Sequence, residues 1–366
     1  MISIYGPING LSYGLVTINL VNALSNLGEA IDLYPINPQN IECEPQYQDN
    51  IKKCLENAKS FNEYGPAIKI WHQWDFSIFP KNDCRIGFPI FELDQLTKLE
   101  QHNLNSLKFV FVCSKWAENV CINSNIFSQV EVIPLGVDLN IFNNTNIRKN
   151  NKTIFLNVGK WEKRKGHDIL SQAFNAAFEE KDKVELWMMP SNPFLSPEKT
   201  AEWENLYKNS KLFSKIRFLP RQNSQNELQY IYNSANFGVF PSRAEGWNLP
   251  ALESMACGTI PIITNYSAHT EFCNNENSLL IEGNEVEPAI DNQWFVPGNQ
   301  VNNGNWFKFG DSQMEQLIEN FRTAHRLNIE KSTKLDEMRN KCLETGKKFT
   351  WENSAKSIIS AISTYA

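Results

Sequence analysis

The strongest constraint on this chain is a repeated alternation. Short, continuously apolar runs alternate with helical patterns on both sides of one polar stretch. In the first part the apolar runs are Ile2–Tyr5, Ala30–Leu33, Ala67–Trp71, Ile86–Phe91, Phe109–Cys113 and Val130–Ile133. After the first run, Val16, Leu20, Ala23, Leu24 and Leu27 share one helical face, and the pattern stops at Gly28. Ser114 stands where an N-cap belongs, before a helix through Val120. The second part repeats the style with Ile154–Val158, Val184–Met188, Ile216–Phe218, Phe237–Phe240, Ile260–Ile263 and Ser278–Ile281. Its helices are expected over His167–Glu179, Glu227–Ser234 and Pro250–Cys257. Strands this short and apolar, linked by helices, predict an α/β protein with parallel sheets covered on both faces. Asn143–Lys152 is polar and unpatterned and reads as an interdomain linker. The expected domains are therefore 1–145 and 152–345. A closing helix over 350–366 carries Ala355, Ile358, Ile359 and Ile362 on one face, so it must pack on something. Ligands of open α/β sheets bind at the carboxyl ends of strands, and a cleft between two such sheets is the expected site.

Bulk properties exclude several classes. The net charge of −6 argues against tight duplex nucleic-acid binding, which rests on neutralising phosphates, so no nucleic-acid partner is expected. The chain opens on a strand without a basic and apolar leader, and no apolar run is long enough to cross a bilayer. The Gln95–Leu107 region mixes charges with Asn and Gln, which gives no support for stable membrane docking. Eight cysteines are scattered without CxxC pairs, as expected for reduced core cysteines in a cytoplasmic protein. No Asp-x-Asp follows a strand and no His/Cys cluster has ligand spacing, so neither a metal nor a cofactor is expected.

The chemistry concentrates in Glu245-Gly-Trp-Asn-Leu-Pro-Ala-Leu-Glu253. An apolar strand precedes it and a helix begins inside it. The free N–H groups of a helix N-terminus suit phosphate, and carboxylates on either side accept hydrogen bonds from hydroxyls. Phosphate plus several hydroxyls describes a nucleotide sugar. Leu249 is a poor cap, so those N–H groups are open to a ligand unless Asn248 caps them. A second stretch, Asn157-Val-Gly-Lys160-Trp-Glu-Lys163-Arg164-Lys165-Gly166, follows the first strand of the second part. Its four basic residues beside glycines suit a diphosphate.

These pieces resemble a known family. Gly159-Lys-x4-Lys165-Gly166, Pro241-Ser-x2-Glu245-Gly-Trp-x-Leu-Pro250, Glu245-x7-Glu253 and Val132-Ile-Pro-Leu-Gly-Val-Asp138 are similar to glycosyltransferase family 4. The resemblance implies a GT-B fold: two Rossmann-like domains facing a central cleft, with the last helix crossing back to the first domain. It implies a retaining, metal-independent sugar transferase that uses a UDP- or GDP-sugar. The donor diphosphate would be both leaving group and proton acceptor. The acceptor would be a carbohydrate, lipid-linked or other hydroxyl compound. Carried onto this sequence, Lys160 and Lys165 would bind the diphosphate and Glu245 the transferred sugar. Backbone N–H groups of Trp247, Asn248 and Leu249 would contact sugar and phosphate, Glu253 the ribose, and Gly10 would let the first loop approach the donor. Arg221, after the strand Ile216–Phe218, would lie at the lip of the site.

The chain departs from the family twice. Lysine at 160 replaces an arginine, losing bidentate geometry. The histidine many members carry in the first domain is missing, and Glu92, Asp94 or His72 are the candidates to stand in its place. A non-catalytic nucleotide-sugar-binding protein, or a phosphorylase or hydrolase of the same fold, would use the same donor residues. Lys165 and Glu253 are expected to serve the ligand and to be dispensable for the unliganded fold.

Overall fold

A computed structural model describes all residues except 38–41, 61–63, 77–78, 80–81, 148–150, 292 and 365–366. The chain divides into two compact units. The first holds Met1–Asp138, Trp294–Asn305 and Lys348–Ala366, and the second holds Leu139–Gln293 and Trp306–Lys347.

In the first unit, β1 (Ile2–Gly6), α1 (Ser12–Asn26), β2 (Ile31–Pro35), α2 (Gln48–Asn57), β3 (Pro66–Ile70), β4 (Cys84–Phe88), α3 (Lys98–Asn105), β5 (Phe109–Val112), α4 (Lys115–Asn123) and β6 (Gln129–Val132) alternate. Their six strands form a parallel sheet in the order β2-β1-β3-β4-β5-β6. Ser114 caps α4, its hydroxyl accepting the Ala117 N–H at 3.2 Å. One side of the sheet buries Phe76, Leu104, Val110, Val112 and Cys121 together.

The second unit runs β7 (Thr153–Gly159), α5 (His167–Ala177), β8 (Val184–Pro190), α6 (Pro197–Lys208), β9 (Ile216–Phe218), α7 (Gln225–Ser234), β10 (Phe237–Phe240), α8 (Leu249–Ala256), β11 (Ile260–Thr264) and β12 (Leu279–Ile281). Its sheet is also six-stranded and parallel, in the order β12-β11-β10-β7-β8-β9. A short ladder of β13 (Val286–Pro288) and β14 (Asn305–Phe307) follows. Then come α9 (Asp311–Ile329), α10 (Thr333–Lys348) and α11 (Trp351–Ser363).

Every apolar run read from the sequence overlaps a strand of these two sheets. Two of the helices that went unread, α2 and α6, have narrow apolar stripes. Of its ten residues α2 buries only Ile51 and Cys54, and α6 buries only Tyr207. A helix that touches the core at one or two points carries too little periodicity to show.

The stretch read as a linker begins by docking on the second unit. Asn143 O accepts Asn233 Nδ2 at 2.9 Å, and the Thr145 N–H donates to Asn233 Oδ1 at 2.9 Å. Residues 148–150 of that stretch lie outside the described residues.

The segment 294–305 belongs to the first unit, where carboxylates hold it. Asp94 Oδ1 accepts the Asn305 N–H at 2.7 Å, and Glu100 Oε1 accepts the Asn302 N–H at 3.0 Å. Thr97 Oγ1 donates to Gln300 O at 2.6 Å. Asp94, one of the three candidates for the missing histidine's place, is therefore committed to holding this segment.

The last helix also belongs to the first unit and packs on α1. Trp351, Ala355 and Ile358 are buried, and Ser354 Oγ donates to Pro134 O at 2.6 Å. The Val137 N–H donates to Phe349 O at 3.0 Å. Gly136 lies under this junction, and a Cβ there would sit 2.1 Å from Trp351 N and 2.2 Å from Thr350 C. Those neighbours are backbone and cannot swing away. Gly136→Ala is therefore expected to cost on the order of 2–4 kcal/mol. A thermal melt would read the loss, and faster hydrogen exchange in α11 would localise it. A variant as stable as the parent would refute this account of the junction.

Candidate functional site

Strands β7 and β10 are neighbours in the second sheet, so the loops leaving their carboxyl ends emerge side by side. A glycine lets those loops touch. Gly166 has φ +76°, and a Cβ on it would meet Pro241 O at 2.4 Å. The Arg243 N–H donates to Arg164 O at 2.6 Å, which clamps one loop to the other. This contact carries Lys165 and Glu245, eighty residues apart, into one cluster.

Glu245 is 4% exposed and saturated. Its Oε1 accepts Lys165 Nζ at 2.6 Å and Ser242 Oγ at 2.8 Å, and its Oε2 accepts an Arg164 NH1 hydrogen at 2.8 Å. Arg164 NH2 reaches Glu162 Oε2 at 2.8 Å. Burial alone would push the Glu245 carboxyl up. The positive charges of Lys165 and Arg164 outweigh it and hold the group well below the usual carboxylate range. The Glu245 N–H donates to Ser267 Oγ at 2.8 Å. Removing one partner of a buried ionic network leaves an uncompensated charge, typically costing about 3–5 kcal/mol. Lys165 is thus part of the unliganded fold, contrary to the expectation from sequence. Arg164 is the buried member of the basic stretch, which sequence reasoning assigned to the diphosphate only as a group of four. No signal in the sequence separates it from its three basic neighbours.

A second ion pair braces the same turn. Arg243 makes two hydrogen bonds to Asp168, at 2.8 and 2.9 Å, and lies 5.9 Å from the Trp306 ring. The Phe307 N–H donates to Arg243 O at 2.9 Å, tying β14 to the turn. Beneath it, His167 is fully buried. Its Nδ1 accepts the Glu162 N–H at 3.2 Å and its Nε2 lies 3.0 Å from Asn157 Oδ1. Burial, with lesser contributions from Lys165 and Arg164, lowers His167 to about 3, so the ring is a neutral pin.

The turn ends at the N-terminus of α8. Asn248 is the N-cap residue with φ +82° and ψ 68°, and it makes no side-chain capping bond. Asparagine is among the few side chains that enter the left-handed region readily. Its Nδ2 instead meets His269 Nε2 at 2.8 Å. The Asn248 side chain therefore leaves the first turn uncapped, while its carbonyl accepts the Ala251 N–H at 3.1 Å. Trp247 is buried against Phe272, with ring centroids 5.2 Å apart, and Leu249 is buried as well.

Glu253 lies apart from this cluster. It is buried on α8 and its Oε2 accepts the Tyr232 hydroxyl at 3.0 Å. Burial raises its carboxyl to about 7, with the tyrosine pulling the other way. Glu253 too has a partner in the unliganded fold, which corrects the expectation that it serves a ligand alone. Lys160 is partly exposed, with its ammonium 5.1 Å from the Phe194 ring centroid. Arg221 lies in an exposed loop after β9.

The remaining candidates lie in the first unit. Gly10 is in the loop before α1, and Tyr13 opens that helix. The Tyr13 hydroxyl donates to Ile90 O at 3.0 Å and accepts the Ile90 N–H at 3.2 Å. His72 stacks on Trp74 at 5.2 Å and stands edge-on to Tyr13 at 4.8 Å. Burial, followed by the charge of Glu92, pushes the Tyr13 hydroxyl well above its ordinary range. His72 and Glu92 therefore share one neighbour, Tyr13, which the sequence reading did not single out. Among the described residues no group of three or more His, Cys, Asp or Glu side chains is placed to hold a metal ion.

Residues 140–292, which contain the cluster, match the family model described as glycosyl transferases group 1. An uncharacterized glycosyltransferase, numbered 335, of Sulfolobus islandicus rod-shaped virus 1 is 27% identical over 182 residues, 48% of each chain. The matched part thus spans about half the length of that relative. Sucrose-phosphate synthase from Thermosynechococcus elongatus superposes with a TM-score of 0.72 at 17% identity, covering 99% of this chain and 98% of the other. Anabaena HepE, solved with UDP and glucose, gives a TM-score of 0.65 at 14% identity, covering 99% of both chains. Likeness at such identities establishes the fold, which is GT-B.

The raised Glu253 carboxyl makes the stability of the fold depend on pH. The folded state holds this proton up to about 7, whereas an ordinary carboxyl loses it near 4.5. The folded state therefore binds more protons in that window, and stability falls as pH rises through it. The full loss for one such group is on the order of 3 kcal/mol. Glu253→Gln keeps an acceptor for Tyr232 and removes the proton. The variant is expected to gain on the parent as pH goes from 5 to 8, read from paired melting curves. Parallel curves would show that Glu253 carries no shifted proton.

Proposed function

We propose that the chain is a retaining glycosyltransferase, since residues 140–292 match the family model of glycosyl transferases group 1. It moves a sugar from a nucleotide-sugar donor to a hydroxyl acceptor. The observation that carries this reading is the Lys165–Glu245–Arg164 cluster beside the uncapped N-terminus of α8, at the carboxyl ends of adjacent strands. The helix N-terminus and Lys165 suit the donor diphosphate. A diphosphate at Lys165 competes with Glu245 for the ammonium. Glu245 stays anchored by Arg164 and Ser242, and its released oxygen accepts a hydroxyl of the transferred sugar.

In the reaction the bond from the anomeric carbon to the diphosphate oxygen breaks and a bond to the acceptor oxygen forms on the same face. The leaving diphosphate takes the acceptor proton. Lys165 and the α8 dipole stabilise the charge that builds on the diphosphate, which is the electrostatic contribution expected to dominate such a step. No metal or cofactor is assigned a part. Glu253 takes the ribose hydroxyls, and Lys160 adds a second cation at the diphosphate. The UDP and glucose in the similar Anabaena protein support a UDP-sugar donor and a carbohydrate acceptor. The eight free cysteines suit a reducing compartment, so the proposed location is cytoplasmic.

A thermal-shift screen of UDP-, GDP-, ADP- and TDP-sugars tests the donor half. A ligand at 100 times its Kd stabilises by about 2.7 kcal/mol. One nucleotide class is expected to give such a shift. Lys165→Ala, already less stable without ligand, is expected to lose the shift. Transfer to an acceptor mixture, with retention followed by NMR, tests the chemistry. Binding without turnover in any mixture would reduce the protein to a nucleotide-sugar binder. A full shift in Lys165→Ala would remove Lys165 from the donor site.

A further inference from the structure

One polar atom in the donor turn has no use in the reading above. Asn248 is 6% exposed, and its side-chain Oδ1 is buried with no hydrogen-bond partner. A buried carbonyl left unsatisfied is costly, and so is a side chain held at φ +82°. Glycine would remove both costs, yet asparagine stands there.

The amide is fixed from behind. His269 is fully buried, and its Nδ1 lies 3.0 Å from Thr264 O. Thr264 Oγ1 in turn donates to Ser242 O at 2.6 Å, which anchors this small chain to the Glu245 turn. Burial keeps the ring neutral, lowering His269 to about 4. The single ring proton therefore sits on Nδ1, facing a carbonyl, and Nε2 presents a lone pair. Only the Nδ2 side of Asn248 can face that lone pair. The amide cannot turn over, and Oδ1 is held as an acceptor.

We propose that Asn248 Oδ1 accepts a hydrogen bond from a hydroxyl of the transferred sugar, and that His269 is the positioning residue that fixes it for this role. The inference rests on the donor-site reading above. It also narrows the sugar. Glu245, three residues earlier in the same turn, is an acceptor as well. Two acceptors match two hydroxyls of a hexose, and a deoxy sugar lacking either would leave one buried acceptor unpaired.

The test separates the sugar contact from the nucleotide contact. Binding of each bare diphosphate (UDP, GDP, ADP) is compared with that of its sugar conjugate (UDP-glucose, GDP-mannose, ADP-glucose) by calorimetry. Asn248→Gly suits the left-handed backbone, so it is expected to fold at least as well as the parent. It should bind the bare diphosphate unchanged and lose about five- to tenfold in affinity for the sugar conjugate. His269→Leu should show the same selective loss. His269→Gln, whose carbonyl can accept from Asn248 Nδ2, should recover to within about threefold. A purely structural role for His269 would weaken both ligands together. An unchanged sugar affinity in Asn248→Gly would overturn the inference. If the parent binds no bare diphosphate, the donor-site reading itself fails and takes this inference with it.

Discussion

One buried carboxylate organises the second unit. Glu245 is out of water between Lys165 and Arg164, and it comes from a different loop than they do. Neither side could be buried alone. A carboxylate or a guanidinium removed from solvent without a partner costs several kcal/mol, so each loop depends on the other being in place. Gly166 gives the backbone clearance, and the Arg243 N–H to Arg164 O bond sets the register. A buried ionic pair of this kind contributes little net stability compared with a well-packed apolar core. What it contributes is a fixed geometry, at the end of the sheet where ligands of α/β folds bind.

The same arrangement explains why the turn and the helix behind it look different. The turn carries a left-handed asparagine and a helix start without a side-chain cap, and Ser267, whose hydroxyl accepts the Glu245 N–H, sits at φ +52°. Helix α8 behind it is buried along most of its length, and its glutamate at 253 is satisfied by Tyr232. Strain and unsatisfied groups gather on the side that would meet a ligand, and the packed helix supports them. The glutamates at 245 and 253, alike in sequence, have opposite electrostatics. The first is held ionised by two cations. The second has only a tyrosine and holds its proton to near neutrality.

The sheets were legible because their strands are continuously apolar. Phe237–Phe240 and Ile260–Thr264 are buried at every position, which leaves no other reading. Lys165 and Glu245 were legible as members of one site, since both follow strands of the same sheet. Their bond to each other was not, because spacing says which residues end a strand and nothing of which side chains meet. Arg164 was hidden for the same reason: four cations within six residues look alike until one is buried. His269 and Thr264 gave no signal at all. Their role depends on a ring tautomer and on the handedness of one residue at 248, which are consequences of packing. Tyr13 went unread because a tyrosine in a helix's first turn resembles any core aromatic. Only the Ile90 backbone at 3.0 Å and the nearby Glu92 charge mark it out.

The two units therefore differ in how their sites are built. In the second, charge is compensated in advance: two cations and two carboxylates, Glu162 and Glu245, close on one another. On the proposed reading, an incoming diphosphate would meet a neutral cluster and gain by replacing Glu245 at Lys165. Its affinity is the difference between two charge-assisted bonds, with the dipole of α8 tipping the balance. In the first, the grouping is aromatic. Tyr13, His72, Trp71 and Trp74 stack around one another, with Glu92 the charge that acts on Tyr13. Aromatic faces suit the C–H faces of a sugar ring and discriminate weakly by charge. On the proposed reading, selectivity for the leaving group would rest on the second unit, where a diphosphate must exchange with Glu245 for an ionic partner.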